Sequence, residues 1–114
     1  MRPSELGGHA MTLVSQLQSL LGNDAVLTFS RAGQLLKTEH AAQPGSDGLV
    51  IMPDGTKYVS SVLNGGVSRI RPGGAAELIA RNIPSAASMC YDAGAKQLVI
   101  PMNPNNGLAF VPIK

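Results

Sequence analysis

The carboxylate best placed to do chemistry in this sequence is Asp47, which stands with Gly48 at the mouth of the apolar run Leu49-Val50-Ile51. A carboxylate at a strand mouth can hold a hard cation or touch a substrate. It can equally cap the turn formed by Pro44, Gly45 and Ser46. Both readings stand at this level. The remaining candidates offer less. His40 follows Glu39 at a strand end, but no second histidine stands four residues on, so the metalloprotease pattern is missing. His9 lies in a glycine-containing lead-in and is expected to be solvated. Cys90 is the single cysteine, which excludes an intrachain disulfide and a cysteine-based zinc framework. Within Ser88-Met89-Cys90-Tyr91 it is expected as a small buried hydrophobe rather than a nucleophile. Arg69 and Arg71 share one face of a strand and are expected to reach solvent. Asn103, Asn105 and Asn106 crowd one loop, where Pro104 and Gly107 favour a turn over a site. No glycine-rich phosphate loop precedes a helix, and Gly66-Val67-Ser68-Arg69-Ile70 lacks the second glycine of a nucleophile elbow.

The elements that carry these residues are short. A chain of 114 residues suits one modest core, and with 44% hydrophobic and 14% charged residues it is not a disordered polymer. Thirteen glycines and eight prolines favour many short strands over long helices. Aromatics are scarce, so the core must rest on aliphatic residues and methionine. Pro53-Asp54-Gly55 between two apolar runs is a strong hairpin signal, because that turn needs a positive φ. Further turns are expected at Arg31-Ala32-Gly33, Asn64-Gly65-Gly66, Pro72-Gly73-Gly74, Asp92-Ala93-Gly94-Ala95 and Asn105-Asn106-Gly107. Turn signals every 8–12 residues, about the spacing of an antiparallel meander, make the chain all-β. Residues 11–21 are ambiguous. Leu13, Val14, Leu17, Leu20 and Leu21 fall at helical spacing, whereas Thr12-Leu13-Val14-Ser15 resembles Lys57-Tyr58-Val59-Ser60. The repeat favours a strand over 12–16.

The runs recur. Leu49-Val50-Ile51 aligns with Met89-Cys90-Tyr91, and Tyr58-Val59-Ser60 with Leu98-Val99-Ile100, both at an offset of 40 residues. A period near 40 is that of the four-stranded antiparallel blade of a β-propeller, here about two and a half to three blades. Residues 1–10 read as a flexible lead-in, 11–43 as an incomplete blade, 44–83 as a complete blade, and 84–114 as a closing blade without its outer strand. Within the complete blade the strands are expected at 48–52, 56–61, 66–71 and 75–81. Such a partial ring would leave two apolar blade faces open, so either copies of the chain associate to complete a ring or the chain is the back portion of a longer protein.

From about Ala25 to Lys114 the ordered set of motifs resembles the gluconolactonase and regucalcin (senescence marker protein) family of six-bladed propellers. It rests on Ser46-Asp47-Gly48-Leu49, Asp54-Gly55 before Tyr58-Val59-Ser60, Gly66-Val67-Ser68-Arg69-Ile70, and the tail from Tyr91-Asp92 to Leu108-Ala109-Phe110. The resemblance implies a metal-dependent hydrolase of a sugar lactone or related ester, with a divalent cation, often calcium, in a central channel. That cation sits on a Glu, an Asn and an Asp from different blades, and Asp47 matches the Asp, as metal ligand and catalytic residue. The blades carrying the Glu and Asn have no counterpart here, and Ser85-Ala86-Ala87 stands where Asp47 would repeat. One carboxylate is a poor site for a cation that takes six or more oxygens, so the chain alone is not expected to hold metal tightly. Without the other blades it is expected to be inactive, and a non-enzymatic module for ligand or protein binding is the alternative.

Charge and hydropathy narrow the partners. The net charge of +2 is spread singly apart from Arg69 and Arg71, without the basic stripe and stacking aromatics of a nucleic-acid binder. No apolar run reaches the roughly 18 residues of a membrane span, and no signal peptide is visible, so a cytoplasmic location is the default expectation. The expected partners are further copies of the chain and, if active, a small lactone.

Overall fold

The computed structural model describes residues 10–14, 24–84, 86, 88–102 and 107–113. They form ten strands: β1 (Ala10–Val14), β2 (Ala25–Ser30), β3 (Leu35–His40), β4 (Ser46–Ile51), β5 (Lys57–Ser61), β6 (Val67–Ile70), β7 (Ala76–Ala80), β8 (Cys90–Asp92), β9 (Gln97–Met102) and β10 (Gly107–Pro112). There is no helix among the described residues. Three antiparallel sheets result, in the orders β1-β2-β3, β4-β5-β6-β7 and β10-β9-β8. For residues 11–21, the part described, through Val14, is strand; the rest of that segment, most of the lead-in with His9, and Asn103, Asn105 and Asn106 lie outside the described residues.

The hairpin at Pro53-Asp54-Gly55 shows how local chemistry sets the meander. Gly55 has φ +93°, its N–H reaches the Met52 carbonyl at 2.9 Å, and the Met52 N–H reaches the Thr56 carbonyl at 2.8 Å. Asp54 Oδ1 accepts the Thr56 N–H at 2.9 Å. That bond is the leading cause that holds the Asp54 carboxyl below its ordinary value.

Alternation along β5 then decides how the sheets stack. All five residues of β5 are buried, as expected of a strand covered on both faces. Val59 packs with Val26, Ala41 and Ile70 and so faces the first sheet. Tyr58 packs with Val67, Leu98, Ile100 and Val111 and faces the last. The seam with the first sheet also carries charge. Lys57 Nζ meets Glu39 Oε1 at 2.7 Å with both side chains about nine-tenths buried, and Lys37 approaches the same carboxylate at 3.7 Å. The Ser68 hydroxyl accepts the Ala42 N–H at 2.8 Å across the same seam.

The two outer sheets each leave a face uncovered by the described residues. In β10, Ala109 and Val111 point to the core, while Leu108 and Phe110 are 52% and 55% exposed. On the first sheet Leu35 and Leu36 are exposed to a similar degree.

The structure corrects one expectation here. Cys90 is exposed, not buried. Its neighbours Met89 and Tyr91 both pack on the core shared with the middle sheet. Strand alternation therefore turns Cys90 to the outer face, beside its register partner Val99 and, one strand further, Phe110.

Candidate functional site

Asp47 lies in β4, half-buried, within an irregularity of the β4–β5 pairing between Ser46 and Leu49. Such a bulge re-aims side chains at a sheet edge. Three contacts hold this end of the blade: Ser60 Oγ accepts the Gly48 N–H at 2.9 Å, the Val62 N–H reaches the Gly45 carbonyl at 2.9 Å, and the Ser61 hydroxyl donates to the Pro44 carbonyl. Close by, the Ile83 N–H donates to the Gly65 carbonyl at 2.8 Å, tying the β5–β6 turn to the segment after β7. Gly65 has φ +73°, and a Cβ there would stand 2.7 Å from the Ile83 carbonyl oxygen, so only glycine fits. A shallow cleft of about 360 Å³ between Leu63, Asn64, Asn82 and Pro84 opens at this end, and Asp47 does not line it.

The donor set of the described residues does not make a cation site. Among the described residues no three histidine, cysteine, aspartate or glutamate side chains come together to hold a metal ion. Calcium takes six to eight oxygens, and the Asp47 carboxylate can supply at most two. His40 is exposed, with Nδ1 at 2.9 Å from Asp24 Oδ1.

The larger cleft lies at the other end of the blade. Strand β4 (Ser46–Ile51), about 17 Å long at 3.3 Å per residue, separates the Asp47 end of the blade from the Pro53–Gly55 turn. That turn forms one wall of a cleft of about 520 Å³ between the middle and last sheets. Tyr58, Arg69 and Arg71 line it from the middle sheet, and Tyr91 and Lys96 from the last. Arg69 departs from the sequence expectation. Its side chain is 18% exposed and turned into the seam rather than to solvent, because its register partner Tyr58 faces the last sheet. Arg69 Nε and Nη2 reach the two Glu77 oxygens at 3.3 and 3.4 Å, which raises the guanidinium above and lowers the carboxyl below their ordinary values. Arg71 remains exposed. Sequence reading missed the cleft because its walls come from strands some 20–40 residues apart, roughly one blade. The 40-residue offset that pairs Tyr58 with Leu98 was the signal that those strands stack.

No protein-family model matches this sequence. No curated protein matches it either. Solved structures do. A catalytically inactive variant of virginiamycin B lyase from Staphylococcus aureus, crystallised with quinupristin, matches at a TM-score of 0.53 and 18% identity over 82% of this chain. The selenomethionine-substituted lyase from the same organism gives the same values. The fold is a partial β-propeller. This chain spans 36% of the length of those lyases. At such low identity the likeness speaks for the propeller fold alone.

Proposed function

We propose that this chain works as a propeller module within a completed ring, closed by further copies through its two open sheet faces. In that ring Asp47 is the carboxylate that these blades contribute to a sugar-lactone or ester hydrolase resembling the gluconolactonases, with a divalent cation held jointly with residues from outside this chain. By itself the chain is a binding module without turnover. The observation that carries this reading is the pair of exposed apolar faces on either side of the stack, Leu35 and Leu36 on one and Leu108 and Phe110 on the other. Contiguous apolar surface on a β-sheet face calls for a partner sheet. Support for the division between binding and turnover comes from the described donor set, which brings no three metal-ligating side chains together.

Light scattering coupled to a lactone-hydrolysis assay tests both parts. A discrete dimer or trimer is expected, with calcium-stimulated hydrolysis confined to the assembled fraction and abolished in Asp47→Ala. A polydisperse mass would remove the ring, and full activity in Asp47→Ala would remove Asp47 from the reaction.

A further inference from the structure

We propose that the cleft between the middle and last sheets binds a small organic anion, a carboxylate or phosphate carried on a ring-sized body. Its volume of about 520 Å³ lies within the range of small-ligand sites. Three cations, Arg69, Arg71 and Lys96, line it against one lining carboxylate, Asp54. Glu77, paired with Arg69, is a second carboxylate nearby, so positive charge still predominates. Both carboxylates are already engaged: Asp54 Oδ1 by the Thr56 N–H, and Glu77 by the Arg69 guanidinium. Neither Arg71 nor Lys96 makes an ion pair within 4 Å among the described residues, and Arg71 acts on the Asp54 and Glu77 carboxylates only through the longer-range field. Arg71 and Lys96 reach the cleft from different sheets, so an anion between them gains two charge-assisted contacts at once. Two tyrosine rings and the side chains of Met52 and Ile113 supply apolar surface for the body of the ligand. The Tyr58 hydroxyl lies beside Arg69, where it raises the guanidinium further, and completes a polar end of the cleft.

Lys96 adds a second kind of observation. Its φ is +53°, in the left-handed region that favours glycine or asparagine. Gly94 stands only two residues earlier in the same turn, yet the left-handed position is occupied by a lysine lining the cleft. Residues held in such conformations concentrate at binding sites.

The chain has two tyrosines and no tryptophan. Both tyrosines line this cleft, so intrinsic tyrosine emission reports on it. Inorganic phosphate and cyclohexanecarboxylate, neither of which absorbs in the tyrosine band, are titrated against sodium chloride at matched ionic strength. The expected result is a saturable emission change with at least one of the two anions and none with chloride; the tighter probe identifies the head group. Arg71→Ala and Lys96→Ala should each raise the dissociation constant about tenfold, since bonds to charged groups carry that much, and the double variant should abolish the change. Asp47→Ala, at the far end of the blade, should bind as the parent does, which separates this proposal from the catalytic one. If both anions behave as chloride does, or if the folded double variant binds as tightly as the parent, the site is overturned.

Discussion

Lys96 shows how one residue can serve two opposed demands. A non-glycine residue at positive φ costs about 1 kcal/mol or more through its Cβ. Replacing it by glycine removes that cost and the positive charge together. Lys96→Gly is therefore expected to raise the thermal midpoint by about 4 °C, while weakening phosphate or carboxylate binding. Calorimetry and the tyrosine titration on the same variant would show the two effects moving in opposite directions. A lysine kept only for packing would show no such split. The sequence places this turn on Asp92-Ala93-Gly94-Ala95, and Asp92 Oδ1 does accept the Gly94 and Ala95 N–H groups at 3.0 and 3.3 Å. The left-handed residue nevertheless falls at Lys96, because the strand pairing of Asp92 with Gln97 fixes where the chain must reverse. Asp47 was legible as a carboxylate at a strand mouth. The bulge beside it was not, since a bulge is set by pairing with Ser61 and Val59 on the next strand.

Between elements, the ion pair at the seam of the first and middle sheets has more at stake than the exposed ones. Lys57 and Glu39 are each about nine-tenths buried at 2.7 Å, so removing one partner leaves a charge without compensation. Glu39→Ala should lower the unfolding free energy by about 3 kcal/mol. The double variant Glu39→Leu with Lys57→Met should recover most of that loss, because apolar residues of similar volume remove both desolvation costs. Urea unfolding of the three proteins checks the pattern, and a Glu39→Ala loss within a few tenths of the parent would show that Lys57 finds water. Lys37, about half exposed at 3.7 Å, does not take over the role. At this scale the sequence was informative about strands and silent about seams. The runs around Val26, Val59, Ile70, Leu98 and Val111 announce alternating strands by their period of two. Glu39 and Lys57 stand 18 residues apart on strands of different sheets. Only the stacking of the sheets makes them partners. Arg69 was misread for the same reason, as its face is defined by which sheet Tyr58 meets.

For the whole molecule, the offset of about 40 residues carried most of the architecture, and it led from hairpins to a stack of one four-stranded sheet between two three-stranded ones and to a propeller fold. The same stacking leaves Leu108, Phe110 and Cys90 on a face that the described residues do not cover. Phe110→Lys should hold the protein as a monomer at concentrations where the parent associates, because a charge on a dry sheet-to-sheet contact is costly. Light scattering reads the mass. Labelling of the single thiol reads the surface: Cys90 should react slowly in the assembled parent and rapidly in the variant. Equal masses and equal labelling would mean that this face meets nothing.

The two open faces are not copies of each other: one presents Leu35 and Leu36 and the other Leu108 and Phe110. A ring of copies closed through both of them, as proposed above, must be heterologous, each molecule offering one face forward and the other back. A closed ring follows only if the angle swept by one chain divides a full turn evenly. Any mismatch makes the same contact propagate as an open helical fibre, so the angle between the first and last sheets separates a soluble particle from a filament.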